Sequence, residues 1–196
     1  MEDKRYKILI VDDEEDNLAL LYRTLRTKYM ITKAHSAIEA LEILKGEKFD
    51  CILSDHKMPL MDGVEFLKRV NDIQPRTMRL LVTAYSDVKI LIDAINYAKI
   101  YRYIKKPFTP DELLMIVESA LECYQLKIDN EKILKRINEL VKSIEREGLS
   151  QGIGKPEPLK HRKAWSRRID DCNRLVYNID SNGNLWIIAC RGHYED

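Results

Sequence analysis

Tyr6-Lys7-Ile8-Leu9-Ile10-Val11-Asp12-Asp13 is the stretch from which the rest of the chain can be read. Four branched aliphatic residues follow one another without polar alternation, as in a strand buried on both faces of a parallel sheet, and then stop at two aspartates. The same grammar returns at Cys51–Ser54, closed by Asp55, and at Arg79–Thr83. Further strands are expected at Tyr6–Val11 itself, Ile31–Ala34 and Tyr101–Ile104. Helical periodicity fills 15–28, 37–45, 63–72 and 87–97, with a fifth helix after Pro110. Strand and helix alternating five times predict an α/β fold, a doubly wound five-stranded parallel sheet with right-handed crossovers. In such sheets, function gathers at the carboxyl ends of the strands.

Composition narrows the classes. Of 196 residues, 33 are Lys or Arg and 32 are Asp or Glu, so the net charge of +1 carries no global signal for nucleic acid. Hydrophobic residues at 45% and charged residues at 33% indicate a globular chain. No apolar run approaches the roughly 18 residues that span a bilayer, so no membrane partner is expected. The charged start Met1-Glu2-Asp3-Lys4-Arg5 does not read as a signal peptide. Four scattered cysteines without a C-x-x-C pair suit reduced thiols and a cytoplasmic location.

After Pro110 the helical signal continues to about Glu147. Val117, Leu121, Tyr124 and Ile128 form one apolar stripe, and Ile133, Ile137, Leu140 and Ile144 form a second. A step of five across Asp129-Asn130 shifts the face between them. The pattern predicts one helix with a phase slip or two helices capped at Asp129 or Asn130; a dimeric coiled coil is the alternative use of the stripes. The glycine-rich run 148–154 breaks the pattern. Hairpin strands follow at Trp165–Ile169, Arg174–Ile179 and Leu185–Arg191, the last two joined by Asp180-Ser181-Asn182-Gly183-Asn184. The expected organisation is a first domain over 1–122, a helical connector over 123–150 and a small α+β antiparallel-sheet tail over 151–196.

The chemistry-bearing residues cluster at the strand ends. Asp12, Asp13 and Asp55 fall at the ends of adjacent strands, where unneutralised carboxylates repel one another. A hard divalent cation removes that repulsion, and Mg²⁺ suits a few carboxylates, a carbonyl and water. Helix capping explains one of the aspartates but not three. Thr83 and Lys106 add a hydroxyl and an ammonium at the same rim. Together these are the parts needed to place a phosphoryl group on an aspartate.

Here the sequence resembles the CheY-like receiver domains of two-component response regulators. The resemblance rests on Ile8–Glu14, Leu53-Ser54-Asp55-His56-Lys57-Met58-Pro59-Leu60-Met61-Asp62-Gly63, Thr83-Ala84 and Tyr103–Phe108. It implies strand order 2-1-3-4-5, Asp55 as phospho-acceptor, and Mg²⁺ held by Asp12, Asp13, Asp55 and the backbone carbonyl of Lys57. Thr83 and Lys106 would bind the phosphoryl group, Tyr103 would be the aromatic switch, and the Lys106-Pro107 bond would be cis. The implied partner is a sensor histidine kinase or phosphotransfer protein. A homodimer through the helical connector is a further partner to expect. As catalysis, the receiver itself would offer at most autodephosphorylation.

The tail carries seven basic residues within 155–175 against three acidic ones, with Trp165 among them. From about residue 132 it resembles the YoeB/Txe branch of the RelE-type mRNA interferase toxins. The shared motifs are Arg136–Leu140, Gly154–His161, Trp165–Ile169, Arg174–Tyr177 and Ala189–Tyr194. By that resemblance Glu157 is a general base, Arg174 with Lys160 and Arg168 a phosphate clamp, and His193 a general acid. Tyr194 would place the substrate, an mRNA in the ribosome, and no metal is needed. Where the toxins begin with a strand and a long helix, this chain has the end of the receiver instead. Three outputs stay open: a toxin-like segment driven by the receiver, a phosphorylation-gated endoribonuclease, or an inert tail.

Overall fold

The computed structural model describes residues 5–84, 96–160 and 163–190. The chain separates into two compact units, Met1–Lys127 and Ile128–Asp196.

In the first unit the strands are β1 (Lys7–Val11), β2 (Met30–Ala34), β3 (Cys51–Asp55), β4 (Met78–Thr83) and β5 (Arg102–Lys105). They pair in parallel in the order β2-β1-β3-β4-β5. Side chains alternate across a strand, and the unbroken aliphatic runs therefore feed two cores at once. Ile8, Ile10, Leu53, Leu80 and Val82 face Leu18, Leu21 and Leu25 of α1 (Glu15–Leu25), together with Leu113, Val117 and Leu121. Leu9, Val11, Ile52 and Leu81 face the other way. They meet Ala37, Ala40 and Leu44 of α2 (Ala37–Gly46), and Phe66, Leu67 and Val70 of α3 (Gly63–Ile73).

Three of the described helices, α2, α3 and the long helix after Thr109, start where a side chain satisfies a free amide. Ser36 accepts from the Glu39 amide at 3.1 Å and Asp62 from the Glu65 amide at 2.9 Å. Thr109 and Glu112 form a reciprocal box: the Glu112 amide donates to the Thr109 hydroxyl at 3.2 Å, and the Thr109 amide donates to the Glu112 carboxylate at 2.8 Å. Pro110 then opens α4 (Pro110–Glu147) at the one turn where a missing amide proton costs nothing. The helix expected at 87–97 lies outside the described residues except for its last two.

The long segment is thus one helix, not two capped at Asp129 or Asn130. The phase slip has a packing cause. Val117 and Leu121 belong to the core of the first unit, while Ile133, Ile137, Leu140 and Ile144 belong to that of the second.

The second unit is an antiparallel sheet in the order β6 (Glu157–Pro158), β7 (Trp165–Arg168), β8 (Arg174–Ile179), β9 (Leu185–Ala189). The two-residue strand β6 has no sequence signature, since Glu-Pro reads as loop. Leu175 and Tyr177 of β8 pack with Leu140 and Ile144 of α4. Gly148, at φ 80°, ends the helix by donating its amide to the Ile144 carbonyl at 2.9 Å.

Arg167 departs from expectation. Counted by sequence within the basic patch, it is fully buried and unavailable to any phosphate. Its guanidinium donates to the Tyr177 hydroxyl at 2.7 Å, the Ser143 hydroxyl at 2.8 Å, and the carbonyls of Ile153 at 3.1 Å and Gly148 at 2.8 Å, and also to the Gln151 carbonyl. A desolvated cation is tolerable because every donor direction has an acceptor. Arg167→Met leaves those acceptors buried without a donor, at a cost of about 1–3 kcal/mol for each one that water cannot reach. Hydrogen exchange is expected to accelerate in β7 and β8 of the variant while β1 and β3 stay protected.

Candidate functional site

The parallel register delivers the expected residues to one rim. Val11 pairs with Ser54, Asp55 with Val82, and Thr83 with Lys105, so Asp12, Asp55, Thr83 and Lys106 end or follow four strands at the same level. The Lys106 amide donates to the Thr83 carbonyl at 2.8 Å, which carries the ladder one residue beyond β5. The Lys106-Pro107 bond is cis.

At the centre, the Lys106 ammonium donates to Asp55 Oδ1 at 2.5 Å and to Asp12 Oδ2 at 3.1 Å. The second oxygen of Asp55 accepts from the Lys57 backbone amide at 2.6 Å. The second oxygen of Asp12 accepts from the Glu14 amide at 3.0 Å and from Asn17 Nδ2 at 3.1 Å. Asp12 thus does not cap α1, whose N-cap is Glu14 without a side-chain cap; one of its oxygens braces the chain entering the helix and the other faces the rim. Asp13 is exposed. Asn17 is a supporting residue that sequence reasoning missed, because a lone Asn in the first turn of a helix has no distinguishing pattern.

Of the three aspartates whose repulsion a divalent cation is expected to remove, Asp12 and Asp55 also face the Lys106 ammonium. Burial pushes the Asp55 carboxyl above its ordinary value, and the Asp12 charge adds to this, while Lys106 and the Lys57 amide pull it down without cancelling the rise. Burial lowers the Lys106 ammonium, but the hydrogen bonds and charges of Asp55 and Asp12 outweigh it and hold the group above its ordinary range. A cavity of about 260 Å³ opens between Asp55, Thr83 and Lys106, walled by Glu14, Asn17 and Lys57. Thr83 is buried, whereas Tyr103 is exposed on β5. Among the described residues no three carboxylate, imidazole or thiolate side chains converge as a metal cluster. The donors at the rim are nonetheless hard oxygens, and Mg²⁺ is commonly held by one or two carboxylates with water completing its shell. The residues fit that ion in kind.

In the tail, Glu157 and Arg174 are brought together. Arg174 Nη2 donates to the Glu157 carboxylate at 2.7 Å, and its Nε donates to the Ser166 hydroxyl at 3.1 Å. Arg168 stands directly opposite Arg174 across β7 and β8, with Asp171 3.7 Å away. Lys160 is exposed. His193 and Tyr194 lie outside the described residues. Ser166, which orients the Arg174 guanidinium, was not singled out by sequence.

Comparison with known proteins now bears on both units. Residues 8–118 match the family model of the response regulator receiver domain. The chain belongs to that family. Residues 117–194 match the model of the YoeB-like toxin of bacterial type II toxin-antitoxin systems, beginning earlier in α4 than the motifs themselves do. The hydrogenase transcriptional regulatory protein HoxA of Bradyrhizobium diazoefficiens is 33% identical over 174 residues, 89% of this chain and 34% of that protein. HoxA of Cupriavidus necator is 38% identical over 133 residues, 68% of this chain and 28% of that protein. This chain thus spans about a third of the length of these curated relatives. The signal receiver domain of an HD domain-containing protein from Pseudomonas fluorescens superposes with a TM-score of 0.63 at 35% identity, covering 66% of this chain and 96% of that one. A CheY-like receiver from Methanospirillum hungatei gives 0.61 at 30% identity, covering 63% and 99%. Receivers of this family act in two-component signalling with sensor kinases or phosphotransfer proteins, and generally use Mg²⁺ at their phosphorylation site. No helix among the described residues is long and apolar enough to cross a membrane.

Lys106→Met is expected to raise the Asp55 carboxyl further, because it deletes the main group opposing burial. A carboxyl raised in the folded state contributes stability that is complete below the ordinary value near ~4 and lost as pH rises through the raised value. The variant should therefore lose stability more steeply than the parent between acid and neutral pH. Carbon-13 NMR of the Asp55 carboxyl without divalent ions, alongside urea unfolding, provides the check.

Proposed function

We propose that the chain is a phosphorylation-driven signalling protein whose Asp55 accepts a phosphoryl group from a phosphohistidine on a sensor kinase or phosphotransfer protein in the cytoplasm. The observation that carries this reading is the placement of the Asp55 carboxylate between the Lys106 ammonium and the Lys57 amide, at the mouth of a cavity bounded by Thr83. An Asp55 oxygen forms the O–P bond as the N–P bond breaks, and the departing imidazole nitrogen takes up a proton. As the acyl phosphate forms, Lys106 shifts from the Asp55 carboxylate to pair with a phosphoryl oxygen, while the Thr83 hydroxyl donates to another. Mg²⁺ held by Asp12, Asp13, Asp55 and the Lys57 carbonyl would neutralise the remaining oxygens.

The added charge of about −1.5 to −2 draws Thr83 toward the phosphoryl group. Tyr103 on β5 turns into the space that opens. Couplings of this kind amount to about 1–3 kcal/mol. The shift reaches α4, through which a homodimer could form and from which the toxin-like segment follows. Asp55→Asn should abolish labelling by radiolabelled acetyl phosphate in Mg²⁺, while Thr83→Ala should still be labelled; undiminished labelling of Asp55→Asn refutes the assignment.

The Glu157–Arg174 contact favours a second reading for the tail, a metal-independent endoribonuclease under receiver control. Glu157 would take the proton from an RNA 2′-hydroxyl as its oxygen attacks phosphorus. Arg174, Arg168 and Lys160 would hold the phosphate, and His193 would protonate the departing 5′-oxygen, with Tyr194 placing the substrate. If so, the purified chain cuts a short RNA in EDTA, and Glu157→Ala or His193→Ala slows cutting at least a hundredfold, in line with the usual worth of a general acid or base. No cutting by the intact chain, with or without acetyl phosphate, returns the tail to a non-catalytic role.

A further inference from the structure

One buried imidazole at the rim has no part in the chemistry so far. His56 follows Asp55 directly and is only 9% exposed. Its backbone is pinned on both sides: its amide donates to the Val82 carbonyl at 2.8 Å, and its carbonyl accepts from the Gly63 amide at 2.9 Å. The ring reaches the end of β4, with Nδ1 facing the buried Thr83 hydroxyl at 3.5 Å. In the tautomer with its proton on Nε2, Nδ1 accepts the Thr83 hydroxyl proton.

We infer that His56 is a positioning residue that holds the Thr83 hydroxyl in the resting state and so competes with the phosphoryl group for it. The inference rests on Asp55 being the phospho-acceptor and Thr83 the hydroxyl that follows the phosphate. A hydroxyl has one proton to donate, and Thr83 cannot give it to the imidazole and to a phosphoryl oxygen at once. The charged oxygen is the stronger acceptor, so phosphorylation wins the proton, but the resting contact is subtracted from the gain. His56 thereby sets how readily the receiver switches and how long it stays switched, without touching the phosphorus.

At 3.5 Å the resting contact is at the long end of hydrogen bonding, so an ordinary hydrogen bond sets the upper bound on the expected size, about tenfold in an equilibrium. Titration calorimetry with beryllofluoride and Mg²⁺, on the full chain, reads it directly. His56→Phe, which keeps a planar ring but no acceptor, should bind beryllofluoride about threefold to tenfold more tightly than the parent. The acetyl phosphate-labelled variant should also hold its label longer. His56→Asn, which restores an acceptor near the Nδ1 position, should return to within about twofold of the parent. In a Thr83→Ala background His56→Phe should change nothing, a dependence that a merely structural role for the ring would not show. The same series with His56→Leu guards against one ring failing to fit. Equal affinity of parent and His56→Phe, or a gain that survives in Thr83→Ala, overturns the inference while leaving Asp55 as acceptor intact. A parent chain that neither binds beryllofluoride nor takes label overturns the underlying assignment and this inference with it.

Discussion

A single ammonium group holds the rim of the first unit together. Asp12 and Asp55 are buried carboxylates on neighbouring strands. Crowded without a counter-charge, two such carboxylates repel each other. Lys106 reaches both. It can do so only because β5 lies one strand beyond β4, so that a long, unbranched side chain spans the distance to β3 and β1. The bridge offsets the repulsion of the two acids and raises the proton affinity of Lys106, whereas the Asp55 carboxyl is raised by burial, against the pull of Lys106. The same bridge is what a phosphoryl group would break and remake, since a cation that balances carboxylates can equally balance phosphate oxygens.

The second organising feature is a helix that serves two cores. Its first turns complete the sheet packing of the receiver, and its last turns pack on the antiparallel sheet. Neither apolar stripe is long enough alone to explain 38 residues of helix. Each is satisfied by a different partner, and continuous backbone hydrogen bonding carries the helix across the polar stretch between them. In the second unit, Arg167 plays a part analogous to that of a buried ion pair without any acid, gathering the helix end and the 148–153 loop onto β7 and β8. The loop it secures leads straight to Glu157, so the Glu157–Arg174 contact is built on that buried cation.

Both units thus present an acid engaged by a base at the end of a strand, Asp55 with Lys106 and Glu157 with Arg174. The two pairs differ in what surrounds them. Asp55 is enclosed, and desolvation raises its proton affinity; Glu157 is more than half exposed, and water screens it. Physical chemistry therefore marks the receiver rim as the more strongly tuned of the two sites.

The aliphatic runs ending in Asp12, Asp55 and Thr83 determined the parallel sheet and the rim at which the polar residues meet, because a strand buried on both faces leaves an unambiguous local signature; the strand order was implied by the resemblance to receivers. The apolar stripes showed the change of face but left open one helix or two, which the continuous helix decides, and the Asp180–Asn184 turn foretold the last hairpin. Local pattern could not show that one lysine, Lys106, would reach both Asp12 and Asp55, that Asn17 and Ser166 would hold Asp12 and Arg174, or that Arg167 would leave the basic surface for the core. It also could not show that His56 would face Thr83. Each of these depends on which distant strand supplies the nearest acceptor, and charge and polarity in a sequence carry no record of that. Only the folded backbone, by fixing register and burial, decides whether a cation meets water, a carboxylate or a carbonyl.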